Sequence, residues 1–438
     1  MTRRHLLASL AMAAAPGPER PNILVILSDQ QHWKALGRSD KFFETPNLDE
    51  LARTGFTFEK AFCTTPQCSP SRSSLMTGFY PTATGVMGNI GAAGGASLRQ
   101  PNFLRALADT GYSTGYFGKW HLGKEPVSLD GLGEMALDID DPAITKRATG
   151  FLANQRGATK PFVLMVSYLN PHRIYGFSKS VPHFSGSIPL PESWSKERLN
   201  TKPKVQLEFM TQDQGKAIWG KDRRDWEAYR EFYRDRVREY DAHVGQCLRA
   251  LDRAGLAAST IVVASSDHGD MDTHHKLIFK GPFLYEQMVR IPLIFRVPGR
   301  TGSAAEFPAV NTDVAPTLLE LAGVPMKACD GVSLAPIITG KGKTPRRDYV
   351  IGQYYSKQRW VNPTRMIRTE TFKYNRYIQH GEELYDLKND PGEVVNLASD
   401  KGYRKTMSEL SRLLDRWMAD NNDPFSTFKA TDRSGRPL

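Results

Sequence analysis

Asn22-Ile23-Leu24-Val25-Ile26-Leu27-Ser28 is a nearly continuous apolar run that ends abruptly at Asp29-Gln30. A strand with one wet face alternates apolar and polar residues, whereas a strand covered on both faces reads as an unbroken apolar run. The segment therefore predicts a central strand in a sheet flanked by helices, with Asp29 and Gln30 at its carboxyl end. Phe162–Leu169 and Thr260–Ser265 read the same way, and Asp267-His268 follows the second of these. Between the strands lie helical patterns. Asn47–Arg53 and Asn102–Ala108 are each followed by a helix-stop glycine, Gly55 and Gly111. Asp225–Ala254 carries Tyr229, Tyr233, Tyr240, Val244, Cys247 and Leu251 at helical spacing, which predicts a long amphipathic helix. Strands alternating with helices imply an α/β domain with a mainly parallel sheet sandwiched by helices.

The pattern changes near Lys341. Asp348–Tyr355, Thr364–Ile378 and Glu383–Leu387 read as short strands joined by polar turns, and Lys405–Met418 as a closing amphipathic helix. This predicts a small C-terminal antiparallel sheet plus helix subdomain over residues 341–438, behind a large domain over 20–340. Residues 173–224 are loop-rich and too long for a simple connection, as expected of a segment that covers a site. Residues 1–15 read as an export signal: Arg3 and Arg4, a short apolar run from Leu6 to Met12, then Ala13-Ala14-Ala15. Thr2-Arg3-Arg4-His5-Leu6-Leu7 looks like a twin-arginine signal, which implies a periplasmic or secreted protein of bacterial type.

The chain has 438 residues, of which 40% are hydrophobic and 24% charged, with a net charge of +11. The charge is spread along the chain without a basic block or a nucleic-acid motif, so an anionic substrate is the expected partner and nucleic acid is not. No stretch approaches the roughly 20 apolar residues of a membrane span. Four cysteines, Cys63, Cys68, Cys247 and Cys329, are too few for a disulfide scaffold. Export would permit a Cys63–Cys68 bridge, but Cys68 has a better use.

Cys68-Ser69-Pro70-Ser71-Arg72, followed by Leu75 and Thr77-Gly78, resembles the sulfatase signature, in which a maturation enzyme oxidises the cysteine to formylglycine. The resemblance covers nearly the whole mature chain. It takes in Asn22–Gln30, Thr45–Asp49 with Phe58, Gly115–Gly123 (GYFGKWHLG), Ser266–Asp270 and Lys280-Gly281. It continues through Tyr285-Glu286, Arg290–Pro292, Asp313–Gly323 and Glu383–Asp386. The family fold is an alkaline phosphatase-like mixed, mainly parallel sheet.

The chemistry explains such residues. A sulfate ester needs a strong nucleophile, neutralised sulfuryl oxygens and a proton for the leaving oxygen. A hydrated aldehyde offers one hydroxyl to attack sulfur and a second whose deprotonation expels sulfate, so release is built in. The resemblance implies a divalent metal held by Asp29, Gln30, Asp267 and His268 around the Cys68-derived 3-oxoalanine. Many members have Asp-Asp and Asp-Asn there, and the Asp-Gln and Asp-His pairs resemble a variant. Oxygen ligands favour Ca2+ and the imidazole suits a transition metal, so Mn2+ is the alternative.

By resemblance, Arg72 and Lys119 hold the aldehyde hydrate, and His121 takes the proton from its second hydroxyl. Lys280 binds sulfate, and His172 or Lys280 is the general acid. Spacing of two on an extended segment would put Lys119 and His121 on one face. Asp270 reads as support, and His274 and His275 as outside the ligand set. The expected function is a sulfuric ester hydrolase acting on a sulfated carbohydrate, a glycosaminoglycan or other polysaccharide fragment. Alternatives are a phosphonate or phosphate monoester hydrolase, a small aryl or choline sulfatase and, without catalysis, a sulfated-glycan binding protein.

Overall fold

The computed structural model describes residues 20–124, 132–179 and 186–438. The expected export signal over residues 1–15 lies outside them. In chain order the strands are β1 (Asn22–Asp29), β2 (Phe56–Phe58), β3 (Ala61–Phe62), β4 (Ser113–Gly118), β5 (Glu134–Leu137), β6 (Phe162–Pro171), β7 (Thr260–Ser266), β8 (Leu293–Arg296), β9 (Ser303–Ala305) and β10 (Ala309–Val310). The C-terminal strands are β11 (Val350–Lys357), β12 (Trp360–Arg368), β13 (Phe372–Tyr377) and β14 (Glu382–Asp386). The large sheet has the order β5-β4-β6-β1-β7-β8-β2-β9. Its centre is parallel, and β8 runs antiparallel to β7 and β2.

β1 shows why the apolar run is unbroken. Ile23, Val25 and Leu27 enter one core, and Leu24 and Ile26 enter the other. All five are fully buried, so truncating Leu24 to Ala would cost about 2–5 kcal/mol. The first face is covered by α2 (Cys68–Thr77), α3 (Phe103–Ala108) and α7 (Val314–Leu321), and the second by α1 (Pro46–Thr54) and α4 (Asp141–Asn154). The long helix α6 (Arg223–Arg253) serves both: Tyr229 and Tyr233 lie in the first core, Tyr240, Val244 and Leu251 in the second.

β4, β6, β1 and β7 are neighbours and parallel. Gly118 pairs with Ser167, Leu27 with Ser167 and Ser28 with Ser266, so their carboxyl ends come level along one edge. Ligand sites of open α/β sheets form at such an edge.

In the C-terminal sheet, ordered β11-β12-β13-β14 and antiparallel, the pleat divides the side chains. Val350, Met366 and Tyr385 pack on the main core, whereas Ile351, Ile367, Tyr374 and Leu384 meet Leu410, Leu414 and Trp417 of α8 (Arg404–Asp420).

Three local expectations change. Thr364–Ile378 is the end of β12 and all of β13, because the chain reverses at 369–371, where the Thr369 hydroxyl accepts the Phe372 N–H. Gly55 has φ −102°, so it is no left-handed helix stop. A Cβ there would lie 2.7 Å from the Phe295 carbonyl, and close approach of β8 is what demands glycine. The loop-rich stretch contains α5 (Lys204–Gln212), whose Val205, Phe209 and Met210 are buried in the main core. Among the described residues, no helix is long and apolar enough to cross a membrane.

Candidate active site

Each strand end at this edge contributes residues. β1 gives Asp29 and Gln30, β7 gives Asp267 and His268, β4 leads to Lys119 and His121, and β6 leads to His172. Cys68 opens α2, with extended Gln67 as its N-cap. The helix is buried along its whole length, so its small residues let it sit directly above the strand ends. One ligand atom each from Asp29, Cys68, Asp267 and His268 lies within 4.8 Å of the other three. The His268 Nε2 is 3.3 Å from the Cys68 Sγ. All four cysteines are free, so Cys63 and Cys68 do not form a bridge.

Three cations surround this cluster. The Arg72 Nε donates to the Asp267 Oδ2 at 2.9 Å, and its Nη2 reaches the Asp29 Oδ2 at 3.3 Å. Its Nη1 is spent on the Lys119 carbonyl and the Ser167 hydroxyl, at 2.8 and 2.7 Å. Arg72 thus clamps the two carboxylates. Lys119 Nζ pairs with Asp29. Lys280 Nζ donates to the Cys68 Sγ at 2.8 Å and the Gln30 Oε1 at 2.9 Å, and lies 3.2 Å from the His268 Nε2.

These charges set the protonation states. Burial raises the Asp29 carboxyl and Cys68 adds to that, but Lys119, His172 and Lys280 outweigh both and hold it well below the usual carboxylate range. Burial likewise pushes the Cys68 thiol up, and Lys119, Lys280 and His268, with a hydrogen bond from His121, drive it well below the ordinary value. The site is built to stabilise negative charge at the position of this sulfur. Burial lowers His172 despite the pull of Asp29 and a hydrogen bond to Cys68.

The expected catalytic and metal-ligand residues therefore gather in one cluster. The route differs for Lys119 and His121. His121 has φ +55°, so a left-handed turn after β4, not the pleat of an extended segment, brings it to Cys68. Asp270 accepts the Gln30 Nε2 at 2.6 Å and the Tyr229 hydroxyl at 2.9 Å, which fixes the Gln30 amide. His274 and His275 turn away, toward Ser193 and Glu197.

Sequence reasoning missed Tyr175. It lies three residues after His172 in a 3-10 turn, where i and i+3 side chains eclipse. Its ring is 4.9 Å from His172 and stacks on Phe279 at 4.4 Å, and its hydroxyl hydrogen-bonds Gln30. The spacing Pro171-His172-x-x-Tyr175 was the available signal. Asn311 was also missed. Its Nδ2 donates to the carbonyl and hydroxyl of Ser71 at 3.0 and 2.9 Å and pins the first turn of α2.

A family model described as Sulfatase matches residues 21–324, and one described as N-sulphoglucosamine sulphohydrolase, C-terminal, matches 274–420. A Delta 4,5-hexuronate-2-O-sulfatase of Bacteroides thetaiotaomicron is 31% identical, over 96% of this chain and 93% of its own length. An N-acetylglucosamine-6-O-sulfatase of the same organism is 28% identical over 95% and 91%. The solved structure of a 2-O GAG sulfatase superposes with a TM-score of 0.86 at 28% identity, covering 95% of this chain and 96% of that one.

Proposed function

The chain belongs to the sulfatase family, and we propose that it removes sulfate from a sulfated carbohydrate with a formylglycine made from Cys68. The observation that carries the reading is the buried cluster of Asp29, Cys68, Asp267 and His268, ringed by Arg72, Lys119 and Lys280. The two relatives named above act on a sulfated hexuronate and a sulfated N-acetylglucosamine, which supports a glycosaminoglycan or similar polysaccharide fragment as substrate.

The Cys68 Sγ stands in for the oxygens of the hydrated aldehyde, which supply the nucleophile and the release step. The donor set suits a divalent cation: two carboxylates and the Gln30 amide oxygen are hard ligands, with one imidazole from His268. We assign Ca2+ to these residues, with Mn2+ as the competitor. A bound cation supplies Lewis-acid polarisation of a sulfuryl oxygen and acidifies the attacking hydroxyl.

The remaining work falls to the chain's own groups. Arg72 holds Asp29 and Asp267 in place, and Lys119 neutralises Asp29 beside the nucleophile. His121 accepts the proton whose loss expels sulfate. Lys280 holds the sulfate oxygens. Burial lowers His172; the charge of an arriving sulfate ester opposes that fall, so His172 takes up a proton from solvent and passes it to the leaving oxygen. Residues 20–340 form the catalytic unit and 341–438 a subdomain that finishes its rim. The export signal over 1–15 sends the enzyme to the periplasm or beyond, after a formylglycine-generating enzyme has read Cys68–Arg72.

The test is mass spectrometry of the tryptic peptide Ala61–Arg72 from the native host after thiol alkylation, with Cys63 as internal control. An aldehyde at Cys68, with hydrolysis of sulfated sugars faster than of matched phosphonate esters, is the expected result. Full alkylation of both cysteines refutes the formylglycine mechanism, and a phosphonate preference refutes the substrate class.

A further inference from the structure

Building on the sulfatase reading, we propose that Lys357 and Arg433 form a second anion subsite on the rim of the sulfate cradle. It recognises a carboxylate or a further sulfate on the sugar that carries the scissile ester.

Lys357 is the last residue of β11, and Arg433 lies in the C-terminal tail. Both reach Asp213 just after α5: Lys357 Nζ pairs with its Oδ2, and the Arg433 Nη2 is 3.7 Å from its Oδ1. Two cations share one carboxylate, so the group keeps a net positive charge. A simple staple between tail and helix needs only one cation. The excess charge adjoins the site already described. Lys357 Nζ lies 4.4 Å from the centre of the Phe209 ring. Phe209 borders Gly281, where a Cβ would come within 3.0 Å of its ring, and Gly281 follows Lys280. From the other side Tyr354, on the same strand, accepts the Gln67 Nε2 at 3.4 Å, and Gln67 precedes Cys68.

The Lys357 side chain is 12% exposed and that of Arg433 39%, so both are reached from solvent, Arg433 more openly. Burial pushes the Lys357 ammonium down to about 8, with Asp213 opposing and Lys280 and Arg433 adding to the fall. A cation under that stress is stabilised by one more anion. A planar guanidinium fork beside it suits the flat face of a carboxylate or two oxygens of a sulfate.

The experiment compares kcat/KM within two substrate pairs, on metal-loaded enzyme with formylglycine confirmed. One pair is a hexuronate 2-O-sulfate and its carboxyl-reduced twin, which tests a carboxylate. The other is 6-O-sulfated glucosamine with an N-sulfate or an N-acetyl group, which tests a second sulfate. The wild type should prefer the anion-bearing member of one pair. Arg433→Gln and Lys357→Gln should each cut that preference roughly ten-fold or more, the loss expected for one charge-assisted hydrogen bond. Lys357→Arg should retain most of it. Arg433→Gln changes an exposed residue, so it tests the idea even if the Lys357 variant melts early. No preference in either pair, or a preference that survives both variants, overturns the subsite while sulfate-ester hydrolysis stands. A loaded wild type that hydrolyses no sulfate ester overturns the underlying reading as well.

Discussion

Lys280→Met separates a cation kept for catalysis from one kept for folding. Arg72 and Lys119 each touch a carboxylate, but among the described residues no carboxylate lies within 4.0 Å of Lys280. Its partners are an amide, a sulfur and an imidazole. Burial lowers the Lys280 ammonium, and the charges of Cys68, Asp29 and Asp267 raise it by more. Once Cys68 is an uncharged aldehyde hydrate and a divalent cation offsets the carboxylates, that support is gone. The buried ammonium then costs stability until sulfate arrives.

The catalytic loss follows from the distance. Nζ is 2.8 Å from the Sγ that marks the reacting centre. A full negative charge at that distance interacts by about 6 kcal/mol at an effective dielectric constant of about 20. Half a charge developing in the transition state gives about 3 kcal/mol, or about 10²-fold in rate, in line with the loss of one preorganised donor. The assay is kcat on an aryl sulfate with a thermal melt of the same loaded sample. The expected outcome is a kcat lower by about 10² to 10³ with Tm unchanged or higher. A variant that keeps its rate within about three-fold, a difference of under 1 kcal/mol, or one whose Tm drops by several degrees along with its activity, would refute this reasoning.

Chelation of the metal should abolish turnover and lower Tm, and added Ca2+ should restore both. A cation at a hundred times its Kd contributes about 2.7 kcal/mol, and a melt indifferent to chelator would remove the metal from these residues. Asp141→Asn should lower kcat about ten-fold with little change in KM. The Asp141 carboxylate accepts the Leu169 and Asn170 N–H groups at 2.7 and 3.1 Å and holds the end of β6 from which His172 projects; the substitution loses one such bond. An equal change in KM would mean that Asp141 acts on binding instead. The preference for anion-bearing substrates should fade as pH rises through about 8, because Lys357 carries its charge below that point and loses it above. Asp213, Lys280 and Arg433 are the charged groups that face it. A preference flat from pH 6 to 9 would exclude Lys357 as the recognition group.

The fold was legible where a strand is long and dry on both sides. β1, β6 and β7 announce themselves because each buries two faces, so the run needs no periodic pattern to be seen. The short strands beyond β7 gave no comparable signal. β2, β8 and β9 have only three or four residues, too few for a period of two to show, and their pairing rests on Phe56 meeting Phe295 and Ser303 from distant parts of the chain. The β12–β13 reversal was hidden because Thr369 and Thr371 are themselves good strand residues. The turn shows only in the folded chain, where the Phe372 N–H meets the Thr369 hydroxyl and the Thr369 N–H meets the Phe372 carbonyl.

The same physics divides the site. Asp29, Gln30, Asp267 and His268 could be found because they terminate legible strands, and parallel neighbours must deliver their ends to one edge. Arg72, Lys119 and Lys280 needed the family resemblance, since an isolated lysine or arginine in a sequence is ordinarily a solvated charge. What makes them otherwise is burial, Arg72 and Lys119 against Asp29 and Asp267 and Lys280 against Gln30, Cys68 and His268, a property of the packed chain and not of any local spacing. Tyr175 sat in between: its three-residue offset from His172 is visible, but the offset carries meaning only if the segment winds as a 3-10 turn. Asp213 and Lys357 mark the limit. They are 144 residues apart, lie in a loop-rich stretch and at a hairpin, and form their pair because the end of β11 meets α5 at Phe209. At the proposed subsite, selectivity for the sugar rests on contacts between segments that carry no motif. The same catalytic edge can then serve different sulfated sugars by changing the rim alone.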